Sequence, residues 1–222
     1  MQHISMRIFN DVSQLLYPIR CLSCNCLGTS ICTNCRSEWI PHYYKTRIED
    51  LGVHSAIIYS PTASKVILAA KEKGLRSADE LLISAIIHVL ERAQVHESHF
   101  KLVPVPSSKA SQRRRGRSFI VDLTSKISAH TGIAVNDCLV VSRKVADQSG
   151  LKKAQRLSNM HGAFSLKPGA VLRGDLILID DVVTTGATLK EAARAINSQG
   201  FHAHGSVSAV TACVAQPLRY GE

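Results

Sequence analysis

The run Leu176-Ile177-Leu178-Ile179 carries no polar side chain and is followed at once by two carboxylates, Asp180 and Asp181. Consecutive apolar residues without polar alternation are expected of a strand buried on both faces, the habit of a central parallel strand. After Val182 and Val183 comes a loop of small residues, Thr184-Thr185-Gly186-Ala187-Thr188, that opens directly into a helix. Thr188 and Glu191 are spaced as a capping box, and the helix is predicted to run to about Gly200. A buried strand that ends in an acidic pair and turns tightly into a helix restricts the chain to the α/β class, with ligands expected at the carboxyl ends of the strands.

Each part of residues 176–188 has a chemical use. Free backbone N–H groups of the loop and the positive end of the following helix make an anion site. Gly186 allows the main chain to approach a phosphate closely. The hydroxyls of Thr184, Thr185 and Thr188 add donors. Asp180 and Asp181 can accept hydrogen bonds from sugar hydroxyls and suit Mg²⁺, a hard cation bound through oxygen. The bland alternative is an acidic strand-to-helix turn with good capping residues. No GxxxxGK[ST] sequence occurs, which excludes a Walker-type loop.

The flanking sequence alternates strand-like and helix-like segments. Strands are predicted at residues 53–59, 101–105, 139–141 and 209–214. Helices are predicted at residues 6–16, from Pro61 to a stop at Gly74, at residues 77–93 with Ser77 and Glu80 as a capping box, and at residues 118–130 with Gly132 as the stop. Residues 43–51 are polar and read as a linker, and residues 142–160 as a polar, basic connection. With 222 residues, 45% of them hydrophobic, the chain can fill one core of ordinary size plus a small appendage. Its longest apolar run, residues 81–90, is broken by Ser84 and His88 and is too short to span a bilayer. The N-terminal stretch holds no apolar core of signal-peptide length, so a cytoplasmic location is expected.

In such a compartment cysteines are more often thiols or metal ligands than disulfides. Cys21, Cys24, Cys32 and Cys35 form two CxxC pairs, which together can place four thiolates around one zinc ion. A module this small has almost no core of its own, so the metal would supply much of its folding energy. Cys26 is an extra thiol. A redox CxxC pair would need a βαβ context, which is missing here. Cys138 and Cys213 fall in predicted strands and read as core residues.

The net charge of +10 favours an anionic partner. Residues 113–117 read Arg-Arg-Arg-Gly-Arg, a density of guanidinium groups that calls for neutralising anions: pyrophosphate, a nucleic-acid backbone, or solvent ions on a plain basic face. Aromatic residues make up 5% of the chain and only Phe119 lies nearby, so a stacking platform for single strands is poorly supported.

The full pattern at residues 176–188 resembles the signature of type I phosphoribosyltransferases. That resemblance implies a parallel sheet flanked by helices, with phosphoribosyl pyrophosphate and Mg²⁺ at the site. Asp180 and Asp181 would be the catalytic pair, with Val183, Thr184, Thr185, Gly186, Ala187 and Thr188 around the phosphate. In amidotransferase-like relatives a Val-Pro turn like residues 103–106 forms the pyrophosphate loop, which assigns Ser107, Ser108 and Lys109 to pyrophosphate. Arg143, Gln148, Lys152 and Arg156 resemble the mobile loop that closes over the substrate.

Taken with the cysteine pairs, Val103-Pro104-Val105-Pro106, Arg115-Gly116 and Gly162-Ala163-Phe164, the chain resembles the ComF/GntX family. The resemblance implies a Cys₄ zinc module within residues 1–45 and a phosphoribosyltransferase-type domain over residues 46–222. It adds Lys71 and Arg115 to the substrate-binding set. It also implies a role in natural competence and DNA uptake, with single-stranded DNA or a competence helicase-type protein as partners. Arg117, Ser118 and Phe119 depart from the family's usual Phe-Asn-Gln run. Three activities are open: phosphoribosyl transfer to an unnamed acceptor, non-catalytic sensing of phosphoribosyl pyrophosphate, and handling of single-stranded DNA. For the first, His161 is a general base only by residue type.

Overall fold

The computed structural model describes residues 19–95, 99–143, 160–198, 200–201 and 205–215. The helix predicted at residues 6–16 and three residues of the closing loop, Gln148, Lys152 and Arg156, lie outside them. In chain order the described elements are α1 (Thr33–Arg36), β1 (Tyr44–Ile48), β2 (Leu51–Ile58), α2 (Pro61–Lys73), α3 (Arg76–Arg92), β3 (Phe100–Pro104), α4 (Lys109–Arg115), α5 (Phe119–Thr131), β4 (Leu139–Val141), β5 (Phe164–Leu166), β6 (Asp175–Val183), α6 (Ala187–Asn197) and β7 (Val207–Val214).

The central sheet has the order β1-β2-β7-β6-β3. Its last four strands are parallel, and β1 pairs antiparallel with β2 at one edge. Strand β6 is flanked on both sides, by β7 and β3, which is why its sequence is apolar throughout. The period of two divides that run between two cores. Ile177 and Ile179 pack on the face covered by α2, α3 and α5, while Leu176 and Leu178 pack on the face covered by α6 and the β4–β5 hairpin. The result is a mostly parallel α/β sheet flanked by helices, the class expected from the sequence.

Several local expectations need correction. Residues 43–51 are not a linker: β1 occupies Tyr44–Ile48, where alternating polar residues suit an edge strand. The predicted capping box at Ser77 does not form. Helix α3 already begins at Arg76, because Leu75 takes the extended N-cap conformation, and Glu80 accepts from Arg76 instead. The box at Thr188 also fails. Gly186 is the N-cap of α6, which places Thr188 inside the first turn, and Glu191 turns to Arg194 and the Phe164 N–H. Strand β6 does not stop at Ile179 but carries Asp180 and Asp181 within it to Val183. The glycine stops hold: Gly74 and Gly132 end α2 and α5 in the left-handed region.

The cysteine-bearing segment packs on the start of α2. Ile31 and Trp39 are buried in the core shared with α2 and α3. The Glu38 carboxylate accepts from the Thr62 N–H at 3.2 Å, beside Ser60, whose hydroxyl accepts from Ala63 N–H. These bonds to Ser60 and Thr62 hold the Glu38 carboxyl below its ordinary range. Ser23 bonds Thr62, and the Lys65 ammonium donates to the Ser23 carbonyl. Among the described residues no helix is long and apolar enough to cross a membrane.

Candidate functional site

The carboxyl ends of the parallel strands β2, β3 and β6 lead into α2, α4 and α6, so the loops after these strands gather at one edge of the sheet. Three of the expected site segments stand there. The acidic pair lies in β6, the turn at residues 184–186 follows it, and residues 105–108 follow β3.

Asp181 is buried, and both its oxygens accept from the Lys71 ammonium, at 2.9 and 3.1 Å. A buried carboxylate needs such a partner, because burial alone would drive it to the neutral form. Burial works against the Lys71 charge as well, but the nearby Asp181 and Asp180 carboxylates outweigh it and hold the ammonium pKa above its ordinary value. Asp180 accepts from the Asp181 N–H at 2.9 Å. Burial, and then the charge of Asp181, push the Asp180 carboxyl well above the ordinary carboxylate range. The two carboxyl groups thus differ: Asp181 is held by Lys71, while burial and its neighbour push Asp180 toward the neutral form. Cys213, buried beside Asp181, has its thiol pushed up by burial and by that charge, which makes it an unreactive core residue.

The turn after β6 is built around Gly186, at φ 76°, in the left-handed region that favours glycine. A Cβ there would overlap the side chain of Ile48 in β1. The turn is thus seated against the edge strand, and Lys190 in α6 forms an ion pair with Glu49 beside it. Gly186 has no side chain to cap α6, and Thr185 Oγ reaches Ala187 N–H only at 3.5 Å. Thr184 is exposed, Thr185 and Thr188 are half-buried, and Val183 and Ala187 are buried beneath the turn.

The segment after β3 is more occupied than expected. Ser108 caps α4 by accepting from Ser111 N–H, and the Ser107 carbonyl accepts from the Gln112 amide. Arg115 bonds Glu72 at 2.8 Å, next in the chain to Lys71, and Arg114 reaches the same carboxylate at 3.7 Å. Arg117 forms a two-pronged pair with the buried Asp79, which Lys126 also contacts. Burial raises the Asp79 pKa, but bonds from Arg117 and Lys126 bring it below the ordinary range. The arginine cluster is thus largely neutralised from within, by Glu72 and Asp79. Neither carboxylate stands out in the sequence, because each lies in an ordinary helical pattern. Phe119 lies under two of the cations, with the Lys71 ammonium 5.9 Å and the Arg117 guanidinium 4.9 Å from its ring centre. Arg143 donates to the His161 carbonyl, and His161 itself is exposed.

In the cysteine-bearing segment the sulfur atoms of Cys21, Cys24, Cys26 and Cys32 all lie within 4.8 Å of one another. Cys26, the extra thiol of the sequence, stands inside this group. Cys35 lies at its margin, where it interacts with Ser23 and with Cys32, Cys24 and Cys21. An all-sulfur donor set of this size suits zinc.

Comparison with known proteins bears on these sites. Over 118 residues the chain is 36% identical to Competence protein ComFC of Bacillus subtilis (strain 168), covering 52% of this chain and 45% of that protein. The chain is similar to ComFC over that half. A second relative, Competence protein F of Haemophilus influenzae (strain ATCC 51907 / DSM 11121 / KW20 / Rd), is 31% identical over 105 residues, 45% of this chain and 44% of its own. The chain thus spans about half the length of the curated relatives it matches. No family model matches it.

The seating of Gly186 on Ile48 can be measured. Gly74, at φ 61° with open space around it, is the comparison. Gly74→Ala is expected to cost about 1 kcal/mol from backbone strain alone. Gly186→Ala is expected to cost about 2–4 kcal/mol, strain plus overpacking, in urea denaturation. In an Ile48→Ala background the excess at Gly186 should largely vanish, since the overlapping side chain is gone.

Proposed function

We propose that this ComF-like chain binds phosphoribosyl pyrophosphate at the turn after β6 and is a phosphoribosyltransferase. The observation that carries this reading is the acidic pair in β6, followed within a few residues by a left-handed glycine and an uncapped helix. The N–H groups at the start of α6 would receive the 5′-phosphate, with the hydroxyls of Thr184, Thr185 and Thr188 around it. Asp180 and Asp181 would hold the two ribose hydroxyls. Ser107 and Ser108 would face the pyrophosphate, with Lys71 and Arg115 supplying positive charge near the leaving group. In the transfer the bond from the anomeric carbon to pyrophosphate breaks, pyrophosphate leaves with the electron pair, and the acceptor's nucleophilic atom bonds to that carbon. Both Asp181 oxygens are engaged by Lys71, so the pair is not a ready Mg²⁺ cage. Mg²⁺ fits better as part of the substrate, carried on the pyrophosphate oxygens. The names of the two relatives support a competence-related role, and the handling of incoming DNA is part of the same proposal. If the site binds without turnover, the same geometry serves as a sensor.

We also propose that the cysteine group holds a structural zinc ion, with Cys21, Cys24 and Cys32 as shared ligands and Cys26 or Cys35 as the fourth. The ion would cross-link a segment with little core of its own. Purified protein is expected to carry one zinc per chain, by metal analysis. Cys24→Ser should lose it, whereas Cys138→Ser, at a buried site in the other core, should keep it.

Thermal denaturation tests the main reading. With Mg²⁺ and phosphoribosyl pyrophosphate at about a hundredfold over Kd, wild type should gain about 2.7 kcal/mol. Asp181→Asn and Thr185→Val should need at least about tenfold more ligand for the same gain, a loss of about 1.4 kcal/mol in binding. Equal gains in all three proteins, or none in zinc-loaded wild type, would refute the assignment.

A further inference from the structure

Helix α4 presents its cations in two directions. Arg114 and Arg115 turn to Glu72 in α2. Lys109, Gln112, Arg113 and Gly116 follow the helical spacing of one stripe, and together they line a cleft of about 690 Å³ against the start of α5. Arg117, Ser118 and Asp122 complete its wall. Lys109, expected to serve the same pyrophosphate as Arg115, therefore looks into a different space.

We propose that this cleft is a second anion site, which takes the phosphate group or groups of a small molecule and is separate from the turn after β6.

Four features carry this. The lining holds three cations, Lys109, Arg113 and Arg117, against the single carboxylate Asp122. Arg113 makes no ion pair among the described residues, although Arg114, Arg115 and Arg117 beside it are each paired. Its exposed guanidinium is of the kind that grips phosphate by two parallel bonds. Arg117, held in place by Asp79, leaves its Nε–H buried and without a partner. Ser118 stands at the start of α5, a helix of 13 residues, yet its hydroxyl does not cap it, so that hydroxyl and the first-turn N–H groups remain available.

The shape and the lining choose the ligand class. The cleft is shallow and open to solvent, which suits a charged group held at the surface and not an apolar body that must be enclosed. No aromatic side chain lines the cleft, so it offers nothing for bases to stack on, which favours a compact phosphorylated molecule over a nucleic-acid strand. Asp122 suits a ligand that also carries a hydroxyl or amino donor. This inference does not depend on the β6 turn being a phosphoribosyl-pyrophosphate site.

The probe is inorganic pyrophosphate, titrated by calorimetry into the full chain at one fixed Mg²⁺ concentration, with and without prior saturation by phosphoribosyl pyrophosphate. Arg113 is exposed and outside both cores, so Arg113→Ala is expected to fold normally, as a thermal melt will verify. The expected result is saturable pyrophosphate binding that persists after saturation of the other site. Arg113→Ala should weaken it at least tenfold, Arg113→Lys should weaken it less, and neither should change the affinity for phosphoribosyl pyrophosphate by more than twofold. If the protein binds no phosphoribosyl pyrophosphate at all, the pyrophosphate arm still decides the matter. The proposal is overturned if wild type binds no pyrophosphate, if Arg113→Ala leaves binding unchanged, or if prior saturation abolishes it. It is also overturned if Arg113→Ala lowers affinity for a thymidine oligonucleotide that pyrophosphate does not displace, since the cleft would then serve a nucleic-acid backbone.

Discussion

The Lys71–Asp181 pair is the constraint around which the candidate site is built. A carboxylate in an interior strand of the sheet is costly to bury, and Asp181 lies in β6 with neighbours on both sides. Lys71 compensates it, reaching both oxygens from α2 at 3.1 and 2.9 Å. With that charge fixed, Asp180 beside it resists ionisation, and the two carboxyl groups differ in character although their side chains are the same. Removing the ammonium would leave a buried charge without a partner, a loss of several kcal/mol in comparable pairs. The acidic pair and the helix α2 are therefore coupled through this one contact.

Much of this was legible in the sequence because the signals were local. The unbroken apolar run at residues 176–179 announced a strand buried on both faces, and the structure splits it evenly between two cores. Gly74 and Gly132 were read correctly as helix stops because a left-handed C-cap needs no tertiary information. The two capping boxes misled for a physical reason. A Ser or Thr three residues before Glu marks a start only if the preceding residue is not already helical, and Leu75 and Gly186 set the starts earlier. Strand β1 was missed because its five residues, Tyr-Lys-Thr-Arg-Ile, are polar enough to pass for a linker, and an edge strand needs only one buried side.

The contacts that shape the site are long-range, and no local pattern carries them. Ile48 against Gly186, Glu72 under Arg114 and Arg115, and Asp79 under Arg117 join segments far apart in the chain. They change the meaning of the arginine cluster. Read as a string it is a dense positive patch; in the fold most of it is spent on internal carboxylates, and the charge left for a ligand is concentrated at Arg113 and Lys109. The cysteine segment shows the same lesson. Its ligand spacing was visible, but the inclusion of Cys26 in the sulfur group depends on how the chain folds back on itself.

The central claim is that the turn after β6 is a phosphate site. Amide hydrogen exchange, followed residue by residue with and without phosphoribosyl pyrophosphate and Mg²⁺, tests it most directly. The account requires that the ligand slow exchange at Gly186, Ala187 and Thr188, while amides at β1 and the cysteine segment change little. Unchanged exchange at these three residues, with protection appearing elsewhere or nowhere, would contradict it.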